Sequence, residues 1–180
     1  MRLIKENSTA VIIDMQEKLT PHVQHHKDLM ERMKILIKGL KALGVPILVT
    51  EQYRKGLGPT IPEIQEVLEE EVTVEKMAFS CCDDDEFQKA LDKTGRTQVI
   101  VAGIEAHVCV LQTVIDLIEK GYQPIVVEDC LSSRKTMDKD IAMKRMAQEG
   151  ARTVSCESIL FELCRYAGTD TFKKISKLVK

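Results

Sequence analysis

The chain has 180 residues, 44% of them hydrophobic and 30% charged, the profile of one globular domain with a sizeable core rather than a disordered or fibrous protein. Its formal net charge of −2, with acidic and basic residues interleaved, gives no electrostatic basis for a nucleic-acid or membrane partner. The longest apolar runs, such as TQVIVAGI, fall far short of a bilayer span, and MRLIKENSTAVIIDMQ does not read as a cleaved signal, so a cytoplasmic location is expected.

Short β-branched runs alternate with longer amphipathic stretches. STAVIIDM (8–15) reads as a buried strand, and KDLMERMKILIKGLKALG (27–44) as a helix stopped by Gly44. VPILVTE (45–51) is a second strand. The Gly/Pro-rich QYRKGLGPTIP (52–62) then predicts a long loop covering a site or a subunit interface, followed by a short helix, EIQEVLEE (63–70). EVTVEKM (71–77) is a third strand, and DDDEFQKALDKTG (83–95) a helix whose acidic start suits the helix dipole. TQVIVAGI (97–104) is a fourth strand, with a helix over 107–121 after it. QPIVVEDC (123–130), a helix over 137–150, a sixth strand ARTVSCE (151–157) and helical 158–164 and 169–179 complete the order. This alternation predicts a single domain over 1–180 of the α/β class: three-layer α/β/α, doubly wound and Rossmann-like, with a mainly parallel six-stranded sheet.

The six cysteines (Cys81, Cys82, Cys109, Cys130, Cys156 and Cys164) show no CxxC spacing, and reduced thiols are expected. His22, His25, His26 and His107 do not complete a zinc pattern, so neither a metal nor another cofactor is expected. The histidines of PHVQHH read as solvated, and DDDE as a helix-start charge cluster.

In a doubly wound fold, ligands bind beyond the carboxyl ends of the parallel strands. Asp14 ends the first strand in AVIID, Lys76 ends the third in TVEKMAFS, and Cys109 follows the fourth in VAGIEAHVCV. Each alone has a structural reading: a helix cap, a solvated lysine, a small core residue. Together they suggest chemistry, because a thiol at a helix N-terminus beside a lysine has its thiolate favoured and a carboxylate can accept the thiol proton. His107, two residues before Cys109, is expected to point aside or line the pocket.

AVIIDMQ, VEKMAFSC and VAGIEAHVCVLQTVIDLIEKGYQPIVVEDCLSSR resemble the isochorismatase-like, or cysteine hydrolase, superfamily, from about residue 8 to the C-terminal helices. TEQYRKGLGPTIPEI and GIEAHVCV most resemble its isochorismatase domain-containing branch. The resemblance implies a catalytic triad of Asp14, Lys76 and Cys109, and a cis peptide bond between Ile104 and Glu105. It also implies an oxyanion hole made by the backbone N–H groups of Glu105 and Cys109, with Gly103 giving the bend room. Nicotinamidases of the superfamily carry a metal-binding DxH after strand two; this chain reads TEQY (50–53) there, so that metal site is not expected. Members that cleave a vinyl ether generally lack the cysteine. The expected activity is therefore hydrolysis of an amide-type C–N bond in a small-molecule substrate through a thioester on Cys109. Gln16, Tyr53 and Phe79 are candidate pocket walls. The resemblance also implies a homo-oligomer, a dimer, tetramer or higher. The alternative is a weakly active or non-catalytic scaffold that keeps the triad and acts through partners. A nuclease activity is disfavoured because no basic stripe with aromatics is present.

Overall fold

The structure is a computed structural model that describes residues 2–69 and 72–180. Glu70, at the end of the expected short helix, and Glu71, at the start of the expected third strand, lie outside the described residues. The elements are β1 (Ser8–Ile13), α1 (His26–Leu43), β2 (Ile47–Gln52), α2 (Arg54–Leu57), α3 (Pro62–Leu68), β3 (Val72–Lys76) and α4 (Asp85–Lys93). After these come β4 (Gln98–Gly103), a π-helical turn (Ala106–Val110), α5 (Leu111–Glu119), β5 (Gln123–Leu131), α6 (Thr136–Glu149), β6 (Arg152–Val154), α7 (Cys156–Cys164) and α8 (Asp170–Leu178). All six strands pair in parallel in the order β3-β2-β1-β4-β5-β6, the doubly wound arrangement expected from the sequence.

Successive strand residues face opposite sides, and both sides are covered. Ala10, Ile12, Val49 and Ala102 pack with Leu29, Met33, Leu36 and Leu40 of α1 and with Ile159 and Leu160 of α7. Val11, Ile13, Leu48 and Val101 pack with Phe87 and Leu91 of α4, Val114 and Leu117 of α5, and Met143 and Met146 of α6. That is why β1 and β4 read as continuous apolar runs rather than alternating ones: every residue of each is buried. No described helix is long and apolar enough to cross a membrane.

Local chemistry sets several boundaries. The Asp84 side chain accepts the N–H groups of Glu86 and Phe87 at 3.0 Å each, so the acidic run begins α4 as a cap. Ser155 forms a capping box with Ser158 and starts α7 at Cys156, which shortens the expected sixth strand to three residues. The expected loop over 52–62 contains the one-turn helix α2. The helix expected from residue 107 begins instead as the π turn, closed by Val110 N donating to Glu105 O at 3.3 Å.

β1 and β4 lie side by side at the centre of the sheet, where the strand order reverses and the connections diverge. Gly103, paired with Ile13 across this seam, has φ +127°, and a Cβ there would strike the Ile13 backbone, with Ile13 N at 2.6 Å. Gly103→Ala is therefore expected to destabilise the protein by about 3 kcal/mol or more, since the β1–β4 ladder holds the two backbones against each other at this point. A melting curve matching the wild type would contradict this close approach.

Candidate active site

Asp14 leaves β1 in a left-handed conformation, φ 51°, which an aspartate tolerates better than most residues. Its Oδ2 accepts Lys76 Nζ at 2.8 Å and its Oδ1 accepts the Thr50 hydroxyl at 2.8 Å. Lys76 reaches it from the end of β3, two strands away, and its Nζ also donates to Gln52 Oε1 at 2.8 Å, Phe79 O at 3.2 Å and Ala78 O at 3.3 Å. Both ion-pair side chains are 0% exposed. Burial works most strongly against the Lys76 charge, but the charge and hydrogen bond of Asp14 together with Cys81 and Cys109 outweigh it and the Lys76 pKa is raised, so this residue stays cationic.

Cys109 sits in the π turn after β4, 7% exposed. Burial pushes its thiol pKa well up, and the charge of Asp14 beside it pushes further, while Lys76 pulls the other way. This corrects the expectation of a favoured thiolate: Lys76 is already paired with Asp14, and the sulfur is screened from water. The resting group is a thiol with a base next to it. Alkylation of Cys109 by iodoacetamide, followed by peptide mass, should accordingly be slow at pH 7–8 and rise only above the ordinary thiol range near pH 8.5. Asp14→Asn removes a negative charge and should move that profile to lower pH. Rapid alkylation at pH 7 in the wild type would contradict the geometry.

The peptide bond between Ile104 and Glu105 is cis. Around this turn, Ala106 N donates to Ser132 O at 2.9 Å, and Val108 N and Val110 N donate to Glu105 O at 3.1 and 3.3 Å. The Glu105 carboxylate turns away from the strand ends to Arg134, whose Nε lies 3.0 Å from Oε2. His107 is held aside, with Nδ1 3.0 Å from Ser133 Oγ and Nε2 3.9 Å from Asp138 Oδ2.

The three candidate pocket residues part company. Gln16 is buried and its amide is fully occupied: Nε2 donates to Gln52 O at 2.9 Å and Gly58 O at 2.6 Å, and Oε1 accepts Gln52 N at 2.7 Å. It fastens the 53–60 segment rather than offering a free donor. Tyr53 and Phe79 are 44% and 55% exposed and flank Lys76, whose O accepts Tyr53 N at 3.0 Å. Met77, next to Lys76 in the chain, is likewise a large exposed apolar side chain. In TEQY, Glu51 Oε1 accepts Thr60 N at 2.7 Å and the Thr60 hydroxyl at 2.8 Å, so this side chain ties the same segment down.

Thr50, Gln52 and Thr113 escaped the sequence reading. Thr50 lies beside Ile13 in register and so reaches Asp14. Thr113 accepts Cys81 N at 2.9 Å and donates to Cys109 O at 2.7 Å, one helical turn on. The available signal was a hydroxyl ending the apolar run ILVT at the same edge as Asp14.

The doubly wound α/β domain thus brings a carboxylate and a thiol together at its switch-point strands, with a lysine from the third strand. The isochorismatase domain profile matches residues 8–158, and the chain belongs to the isochorismatase family, generally a family of hydrolases. Isochorismatase domain-containing protein 2A of Mus musculus is 38% identical over 182 residues, covering 99% of this chain and 85% of its own length. The MAR1 ribonuclease structure of Caenorhabditis elegans superposes with TM-score 0.93 at 37% identity, covering 99% of this chain and 92% of that one. YcaC of Pseudomonas aeruginosa, solved with hexane-2,5-diol and covalent acrylamide, gives TM-score 0.94 at 25% identity, covering 99% and 90%.

Proposed function

We propose that the protein is a cysteine hydrolase that cleaves an amide-type C–N bond in a small molecule through a thioester on Cys109. The observation that carries this reading is the buried carboxylate of Asp14, fixed by Lys76 and Thr50 at 2.8 Å each, acting on the Cys109 thiol beside it. Because the resting thiol is protonated, the proton passes from sulfur to Asp14 as sulfur attacks the carbonyl carbon. The oxyanion that forms is taken up by the Glu105 and Cys109 N–H groups. Collapse expels the amine, which leaves with the proton held by Asp14. Water then attacks the thioester, Asp14 accepts its proton, the acid departs, and the proton returns to the Cys109 sulfur. Lys76 holds Asp14 in place through the 2.8 Å ion pair. The exposed apolar side chains of Tyr53, Met77 and Phe79 near Lys76 suit a small substrate with an apolar portion, and a second copy of the chain covering them fits the expected homo-oligomer. Covalent acrylamide in the Pseudomonas aeruginosa structure supports the presence of a nucleophile in that protein, since acrylamide is trapped by addition at its alkene carbon.

The test is a panel of small amides, ureides and carbamates, with product analysis and mass spectrometry of the Cys109 peptide. Turnover with a Cys109 acyl adduct is expected. No turnover and no adduct across the panel would overturn the proposal and leave the scaffold alternative standing. The name of the Caenorhabditis elegans neighbour raises a second reading, RNA cleavage. The net charge of −2 speaks against it, and RNA cleavage lost on Cys109→Ala would speak for it.

A further inference from the structure

We propose that Arg134 is a positioning residue for the oxyanion-binding turn, acting through the Glu105 carboxylate; the idea rests on the hydrolase reading above. Three consecutive residues leaving β5 hold three consecutive residues of the turn that follows β4. Ser132 O accepts Ala106 N at 2.9 Å, and Ser133 Oγ lies 3.0 Å from His107 Nδ1. Arg134 donates twice to the same Glu105 oxygen, from its backbone N and from Nε, at 3.0 Å each. The holding segment is itself braced from the loop before α1. Gln24 N donates to Ser133 O at 3.0 Å, Gln24 Nε2 donates to Arg134 O at 2.9 Å, and the Ser132 hydroxyl donates to Gln24 O at 2.6 Å.

The Arg134 side chain is 64% exposed, and a pair with so exposed a partner adds little to stability. Its consequence is directional. A carboxylate gripped by two N–H donors from a residue 29 positions away cannot rotate without losing both. The Glu105 N–H leaves the same Cα, and the next peptide is already fixed through Ala106 N. The grip therefore sets where the Glu105 N–H points. Oxyanion stabilisation depends on that, because a donor must be aimed before charge develops.

Two reactions of Cys109 separate this role from a general disturbance. Acylation by p-nitrophenyl acetate passes through an oxyanion, whereas alkylation by iodoacetamide is a displacement without one; both are read from the mass of the Cys109 peptide. Arg134→Ala should slow acylation by about tenfold to a hundredfold, as expected for a misaimed donor. Alkylation should change by less than about threefold, since an exposed, screened charge is removed. Glu105→Gln keeps an oxygen for both N–H groups and should retain most of the acylation rate, while Glu105→Ala should lose at least as much as Arg134→Ala. Equal effects on both reactions, or none on either, would overturn the positioning role. Wild-type protein that is alkylated but never acylated at Cys109 would overturn the hydrolase reading and this inference with it.

Discussion

Cys109→Ala is expected to lower turnover by about 10⁴-fold or more, to the level sustained by binding and oxyanion contacts alone. The fold should survive. The residue sits on a short turn and is 7% exposed where Asp14 is fully buried. A stability change within about 1 kcal/mol follows, or a few degrees in melting temperature for a chain of this length. Cys109→Ser should be nearly as inactive, because a buried hydroxyl beside the same carboxylate is a far weaker nucleophile than the thiol. Turnover by purified Cys109→Ala at the wild-type rate would remove this residue from the chemistry.

The second large effect concerns stability. Asp14→Asn strands the Lys76 ammonium, and Lys76→Met strands the Asp14 carboxylate, in a site where both side chains are 0% exposed. Breaking a buried pair by removing one partner costs about 3–5 kcal/mol, because the remaining charge is left without compensation. For a domain of this length that corresponds to a fall of roughly 6–20 °C in melting temperature. The double replacement leaves no stranded charge and should recover much of the loss, even though it abolishes the base. Single variants within about 1 kcal/mol of wild type would show that the pair is not as dry as the structure places it. The pH dependence has a definite sign. The raised Lys76 pKa contributes stability that is complete below the unfolded value near 10.4 and is lost as pH climbs through the folded value.

Much of this site was legible in the chain before any fold was known. The strand runs AVIID, TVEK and VIVAG end at Asp14, Lys76 and Gly103, and a parallel sheet brings strand ends to one edge. The departures are instructive for their causes. Gln16 was read as a pocket wall, yet its amide is taken by Gln52 and Gly58, since a buried amide on a loop finds backbone partners first. The thiolate argument counted the Lys76 charge without its neutralisation by Asp14, a cancellation visible only once the two atoms are 2.8 Å apart.

The sequence by itself determined the class of fold, the order of strands and helices, and the three residue types at the strand ends, because hydrophobic periodicity and Gly/Pro punctuation are local signals. Tertiary structure alone decided which atoms meet. The register of Ile13 with Thr50 delivers a hydroxyl to Asp14, the exit of β5 grips the turn that carries Cys109, and burial favours the thiol form of Cys109. Those contacts join residues tens of positions apart, and the electrostatics of a buried charge depend on every group around it, so neither is written in any short stretch of chain.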